Sequence, residues 1–64
     1  MQLAAILRKQ IEDGEITDRL PSIMELTREH DVAPNTVQRA LRVLKAEGLI
    51  VGRQGRGTFV RREQ

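Results

Sequence analysis

The 64-residue chain contains no cysteine, no tryptophan and no tyrosine. Without thiols it has neither a disulfide staple nor a thiolate metal site. Phe59 is the only aromatic side chain, too little for the stacking platform that RNA-binding modules use. No apolar run approaches the roughly 20 residues that span a bilayer, and Met1 leads straight into a mixed apolar and charged segment without the layout of a signal peptide. The lone histidine, His30, sits near a helix end without partners that suggest metal or catalytic work. Glu12, Asp13, Glu15 and Asp18 cluster around a connector, but at the wrong spacing for a calcium loop. No nucleophile–base pair and no Gly-Lys phosphate loop occurs. These absences argue against an enzyme, a cofactor or a metal, and for a soluble protein of a reducing, cytoplasmic compartment.

What is present is charge, and it is unevenly placed. Charged residues make up 31% of the chain and apolar residues 39%, enough for one small core. Residues 1–32 hold four Lys/Arg against seven Asp/Glu; residues 33–64 hold seven against two. A net +2 therefore divides into an acidic half at −3 and a basic half at +5. A small domain polarised in this way can orient itself on a polyanion.

Three helices and a hairpin follow from the patterning. Leu3, Ile6, Leu7 and Ile11 recur at helical spacing, and Gly14 is a natural stop. Residues 15–20 read as a connector anchored by Ile16 and Leu20, with Arg19-Leu20 able to add a minimal strand beside the hairpin. Ser22 and Glu25 form a capping box for a second helix running to His30, with Ile23, Leu26 and Thr27 inward. Asp31-Val32-Ala33 is a turn. Pro34 suits the first position of a third helix over residues 34–47, with Val37, Ala40, Leu41 and Leu44 as its buried stripe. Asn35, Gln38, Arg39, Arg42 and Lys45 are left outside, and Gly48 ends the helix. Leu49-Ile50-Val51 and Thr58-Phe59-Val60 are β-rich runs. The six residues between them include Gly52, Gly55 and Gly57, as a hairpin turn needs. Phe59 is expected against the third helix, and the tail at residues 61–64 is expected to fray.

The expected fold is mainly α with a small β-hairpin, a winged helix-turn-helix of three helices plus a wing. The third helix has the dimensions of a DNA major groove, and the basic hairpin can reach a neighbouring groove. Asn35 and Gln38 carry amides suited to adenine; the bland alternative is ordinary exposed polarity. Arg39 and Arg42 suit phosphate, or are simply solvated. Arg53 and Arg56 flank the wing tip. A protein-interaction use of the same fold is the alternative, but it would favour an apolar patch over this basic face.

In order and spacing, Leu20-Pro21-Ser22, Leu26, Val32, Thr36-Val37, Ala40-Leu41, Leu44, Glu47-Gly48-Leu49-Ile50 and Arg53-Gln54-Gly55-Arg56-Gly57-Thr58-Phe59-Val60 resemble the N-terminal domain of the GntR family of bacterial transcription regulators. The resemblance covers about residues 3–60. It implies a sequence-specific regulator, usually a repressor, that binds a palindromic double-stranded operator as a dimer, with the third helix in the major groove and the wing in the minor groove. Carried over by position, Asn35, Thr36 and Gln38 on the helix and Gln54, Gly55 and Arg56 on the wing lie nearest the DNA, with Ser22 bringing a helix N-terminus to a phosphate. The chain departs from the family pattern at Ile23-Met24, where Glu-Arg is common, and at Ala33-Pro34-Asn35, where Ser-Arg-Thr is common. Gln38 stands where arginine is frequent. Family members continue into an effector and dimerisation domain, so a chain ending after the wing is expected to be either a fragment, the favoured reading, or a protein lacking a sensor; it is expected to be a single domain over residues 1–64 and a monomer alone.

Overall fold

The apolar stripe Leu3, Ile6, Leu7 and Ile11 gives α1 its inward face. In the computed structural model, which describes residues 2–61, α1 is Leu3–Glu12 and buries Leu3, Ala4 and Leu7. It closes at Gly14, as expected, with the Glu15 N–H donating to the Gln10 carbonyl at 2.8 Å. The second helix, α2, is Ile23–His30, and the third, α3, is Pro34–Ala46. Between them Asp31 takes a left-handed conformation at φ 53°, which aspartate tolerates better than most residues. The α3 helix starts on Pro34 behind Ala33, which supplies no side-chain cap. It ends with the Leu49 N–H bonded to the Leu44 carbonyl at 3.0 Å, a closure that turns the chain directly into the hairpin.

The hairpin consists of β1 at Ile50–Arg53 and β2 at Gly57–Val60, antiparallel, with Ile50 opposite Val60 and Val51 opposite Phe59. The connector supplies the third strand-like segment. Arg19 bridges to Phe59, the Leu20 N–H donates to the Thr58 carbonyl at 2.8 Å, and the Val60 N–H donates to the Asp18 carbonyl at 2.6 Å. The tail residues 62–64 lie outside the described residues.

Leu3, Ala4, Leu7, Leu20, Leu26, Val37, Ala40, Leu41, Leu44 and Ile50 make one core, with Ile11, Ile16, Val32, Leu49 and Val60 packed at its edge. The expected α3 stripe is buried at all four positions. One inward assignment is corrected. Ile23 is exposed, at 37%, because the core closes on Leu26 without it. Phe59, expected against the third helix, is half-buried beside Lys45 of α3 in a cleft outside the core, because strand alternation places it with Val51 on the face opposite Ile50 and Val60.

One long-range polar contact ties the helices together. Arg8 on α1 grips Glu47 at the end of α3 through two parallel bonds, Nε to Oε1 at 2.9 Å and Nη2 to Oε2 at 2.6 Å. The pair is half-exposed, so its role is to fix geometry more than to supply energy. No helix among the described residues is long and apolar enough to cross a membrane.

Leu44 is fully buried where α3 meets the rest of the core. Leu44→Ala is expected to cost about 2–5 kcal/mol, read as a lowered urea midpoint with unchanged slope. A loss well under about 1 kcal/mol would show that the core repacks around this position.

Candidate nucleic-acid interface

Burying one stripe of α3 forces the rest of the helix outward. Asn35, Thr36, Gln38, Arg39, Arg42 and Lys45 are all exposed. They do not form one patch. Gln38, Arg42 and Lys45 line a cleft shared with Ile23, Leu41 and Thr58, between the start of α2 and the hairpin. Thr36 and Arg39 line a separate shallow cleft with Gln2, Leu3, Ala4 and Val43, beside the start of α1. The helix therefore presents a flank facing the wing and a flank facing away from it, with Asn35 exposed at its leading end.

Arg53, Gln54, Gly55 and Arg56 form the exposed tip of the hairpin. The Arg56 N–H donates to the Arg53 carbonyl at 3.0 Å, and Gly55 sits at φ 78° at the third turn position. This is type II turn geometry, which favours glycine there. A Cβ built on Gly55 would meet no protein atom within 4 Å, so the tip is open to a partner. Behind it, a Cβ on Gly57 would stand 3.1 Å from the Arg19 Nε. Glycine there lets the Arg19 guanidinium lie across β2.

Ser22 caps α2 as expected. Its Oγ accepts from the Glu25 N–H at 3.1 Å, and its own N–H donates to Glu25 Oε1 at 2.8 Å. The bond from the Ser22 N–H, with a smaller contribution from the Ser22 side chain, holds the Glu25 carboxyl below its ordinary value of 4.5. The two bonds also leave Ile23 and Met24, not Ser22, with the free N–H groups at this helix start.

Pairing divides the cations. Arg8 pairs with Glu47 and Lys9 with Asp13. Among the described residues, none of Arg39, Arg42, Lys45, Arg53 and Arg56 is in an ion pair. Lys45 joins Gln38 and Arg42 on the flank facing the wing, and its helical spacing from them is the signal that adds it to the candidate residues. Arg19 belongs to the connector and bridges to the hairpin, as the Arg19-Leu20 strand reading expects; the approach of its guanidinium to Gly57 is not marked by any local pattern.

A three-helix core, a two-helix unit with a tight turn, and a tethered hairpin beside an unpaired cationic helix face define a winged helix-turn-helix domain. The chain belongs to the GntR family: the family model described as bacterial regulatory proteins, gntR family, matches residues 1–60. It is similar to the uncharacterized HTH-type transcriptional regulator YhcF of Bacillus subtilis, 36% identical over 55 residues that cover 86% of this chain and 43% of YhcF. It is 46% identical over 54 residues to the histidine utilization repressor of Pseudomonas putida, covering 81% of this chain and 22% of that repressor. Among solved structures it resembles YydK of B. subtilis, described as a possible transcriptional regulator, with a TM-score of 0.87 and 28% identity, across 98% of this chain and 28% of YydK. The chain thus spans less than half the length of each of these relatives. The family consists of transcription regulators, repressors among them, and not of enzymes. DNA binding by this kind of domain comes with membership.

The capping box and the Arg8 pair also set a pH dependence. Glu25 and Glu47 are both held below 4.5, Glu25 by the Ser22 bonds and Glu47 by its bond from Arg8. A lowered carboxylate contributes stability that is complete above its unfolded value and is lost as pH falls through its folded value. Urea midpoints are therefore expected to fall on acidification below about 4.5. Glu25→Gln, which keeps an acceptor for the Ser22 N–H, should flatten that fall. An unchanged acid slope in Glu25→Gln and Glu47→Gln alike would remove both groups from the account.

Proposed function

We propose that this chain is the sequence-reading, double-stranded DNA-binding module of a bacterial cytoplasmic transcription regulator, most simply a repressor. In this reading α3 enters the major groove and the wing tip enters the adjacent minor groove. The observation that carries it is the gathering of exposed amides and cations on α3 and the hairpin, where none of Arg39, Arg42, Lys45, Arg53 and Arg56 is in an ion pair among the described residues. Asn35, Thr36 and Gln38 are assigned to base edges, Arg39, Arg42 and Arg53 to phosphates, and Gln54, Gly55 and Arg56 to the wing contact. Ser22 positions the α2 N-terminus toward a phosphate, with the N–H groups of Ile23 and Met24 as donors. The split of α3 into two flanks favours Gln38 and Arg42 acting together with the wing, and Arg39 and Thr36 acting on the far side of the groove.

Selection from a random duplex pool, with a salt titration of the winner against RNA, tests this directly. Arg42→Ala should weaken all duplexes alike and reduce the salt slope by about one. Gln38→Ala should alter the selected sequence, at a cost of about 1–3 kcal/mol at one base pair. The same selected motif from Gln38→Ala would place base reading elsewhere.

The operator in this proposal is palindromic, with one copy on each half-site. Among the described residues the exposed large apolar side chains are Ile23, Met24 and Val43, far short of the roughly 1,200 Å² of buried surface typical of a stable interface. This chain alone is expected to sediment as a monomer at micromolar concentration and to bind a half-site weakly. Joining two copies should tighten binding by about 10²–10⁴ through effective concentration. A tight dimer of the free chain would contradict this part of the proposal.

A further inference from the structure

Ile23 and Met24 are exposed by 37% and 68%, and they are consecutive, at the start of α2. The core does not need them, since it closes on Leu26. Their surroundings are specific. Ile23 lies in the cleft with Gln38, Arg42 and Lys45, and again in the neighbouring cleft with Met24, Arg19 and Gly57. Ile23 thus stands among three cations, Arg19, Arg42 and Lys45, and Met24 stands beside Arg19, none of the three being in an ion pair among the described residues. A positive rim selects a polyanion as occupant, and the same rim disfavours a basic or plain apolar protein surface.

We infer that Ile23 and Met24 are specificity-determining residues that read the C5-methyl group of thymine beside the base pairs assigned to Gln38. The inference rests on the placement of α3 in a major groove proposed above. Thymine's methyl is the one apolar group that the four bases present in that groove. An isoleucine gives no hydrogen bond to a base edge. It gains by covering a methyl, and it loses where it covers a cytosine amino group and strips that donor of water. Met24 adds a flexible apolar arm that fits itself to the same group. The result is a preference for thymine over cytosine at one or two positions next to the Gln38 contact, set by α2 instead of by α3.

The experiment uses the whole chain and the best duplex selected by it. Each thymine is replaced in turn by deoxyuridine, which removes only the methyl. The expected result is a loss of about fourfold at one or two positions, the value of one buried methyl-sized group, with no change in salt slope. At those positions 5-methylcytosine should bind better than cytosine. Ile23→Ala or Met24→Ala should erase the distinction between thymine and deoxyuridine while circular dichroism shows the helices intact. Wild-type affinity that ignores deoxyuridine at every position overturns the inference, as does a distinction that survives in both variants. Failure to bind any duplex selectively would instead overturn the placement of α3, and this inference with it.

Discussion

The domain is organised around a single helix that must be buried on one side and free on the other. Val37 and Leu44 are fully buried, Ala40 and Leu41 nearly so, and α1, α2 and β1 all pack toward this stripe. Close packing leaves the stripe little freedom to rotate. The outward residues of α3 are therefore aimed by the core, not by contacts of their own. The same stripe sets the position of the wing, because only Gly48 and Leu49 separate the α3 cap from Ile50, which is buried in that core.

Much of this was legible in the sequence because it depends on local patterns. Helical spacing located three helices, and the Ser22–Glu25 box fixed the start of α2. β-branched runs around a glycine turn located the hairpin to within two residues. What was not legible depends on distance. Ile23 has the right spacing for a core position, but a two-turn helix has one fully buried position here, and Leu26 fills it. Phe59 lies outside the core while Val60 packs against it, because a β-run does not state which of its two faces meets the core until the register is known. The Arg8–Glu47 clamp joins residues 39 apart, and no periodicity reports such a pair. The candidate interface was legible as a set of residues but not as two flanks, because the division comes from where α1 and β2 sit beside α3.

The charges make a related point. A net of +2 says little, since a domain can be nearly neutral and still present one strongly basic face. What matters is which cations have partners. Lys9 meets its acid four residues on, at the cap of its own helix, and Arg8 meets one at the cap of α3. The arginines of α3 and the wing meet none among the described residues. A free guanidinium on a fixed helix requires no breaking of an existing pair before it meets a phosphate.

Within the wing, β2 is bonded on both of its edges. β1 pairs with β2, and β2 is held in turn by the connector through the Asp18 and Leu20 backbone. The wing's outer strand is thus an inner strand of a small three-segment ribbon, anchored to the residues that lead into α2. The distance from wing tip to α3 is consequently set before any partner arrives. Such a module docks as a rigid body and orders little of itself on binding. Its binding heat capacity should then report the surface covered at the contact and not the folding of a loop. Under the proposed placement in two grooves, it would also meet mismatched duplex geometry with a stiff ruler, so that groove spacing itself becomes something the protein measures.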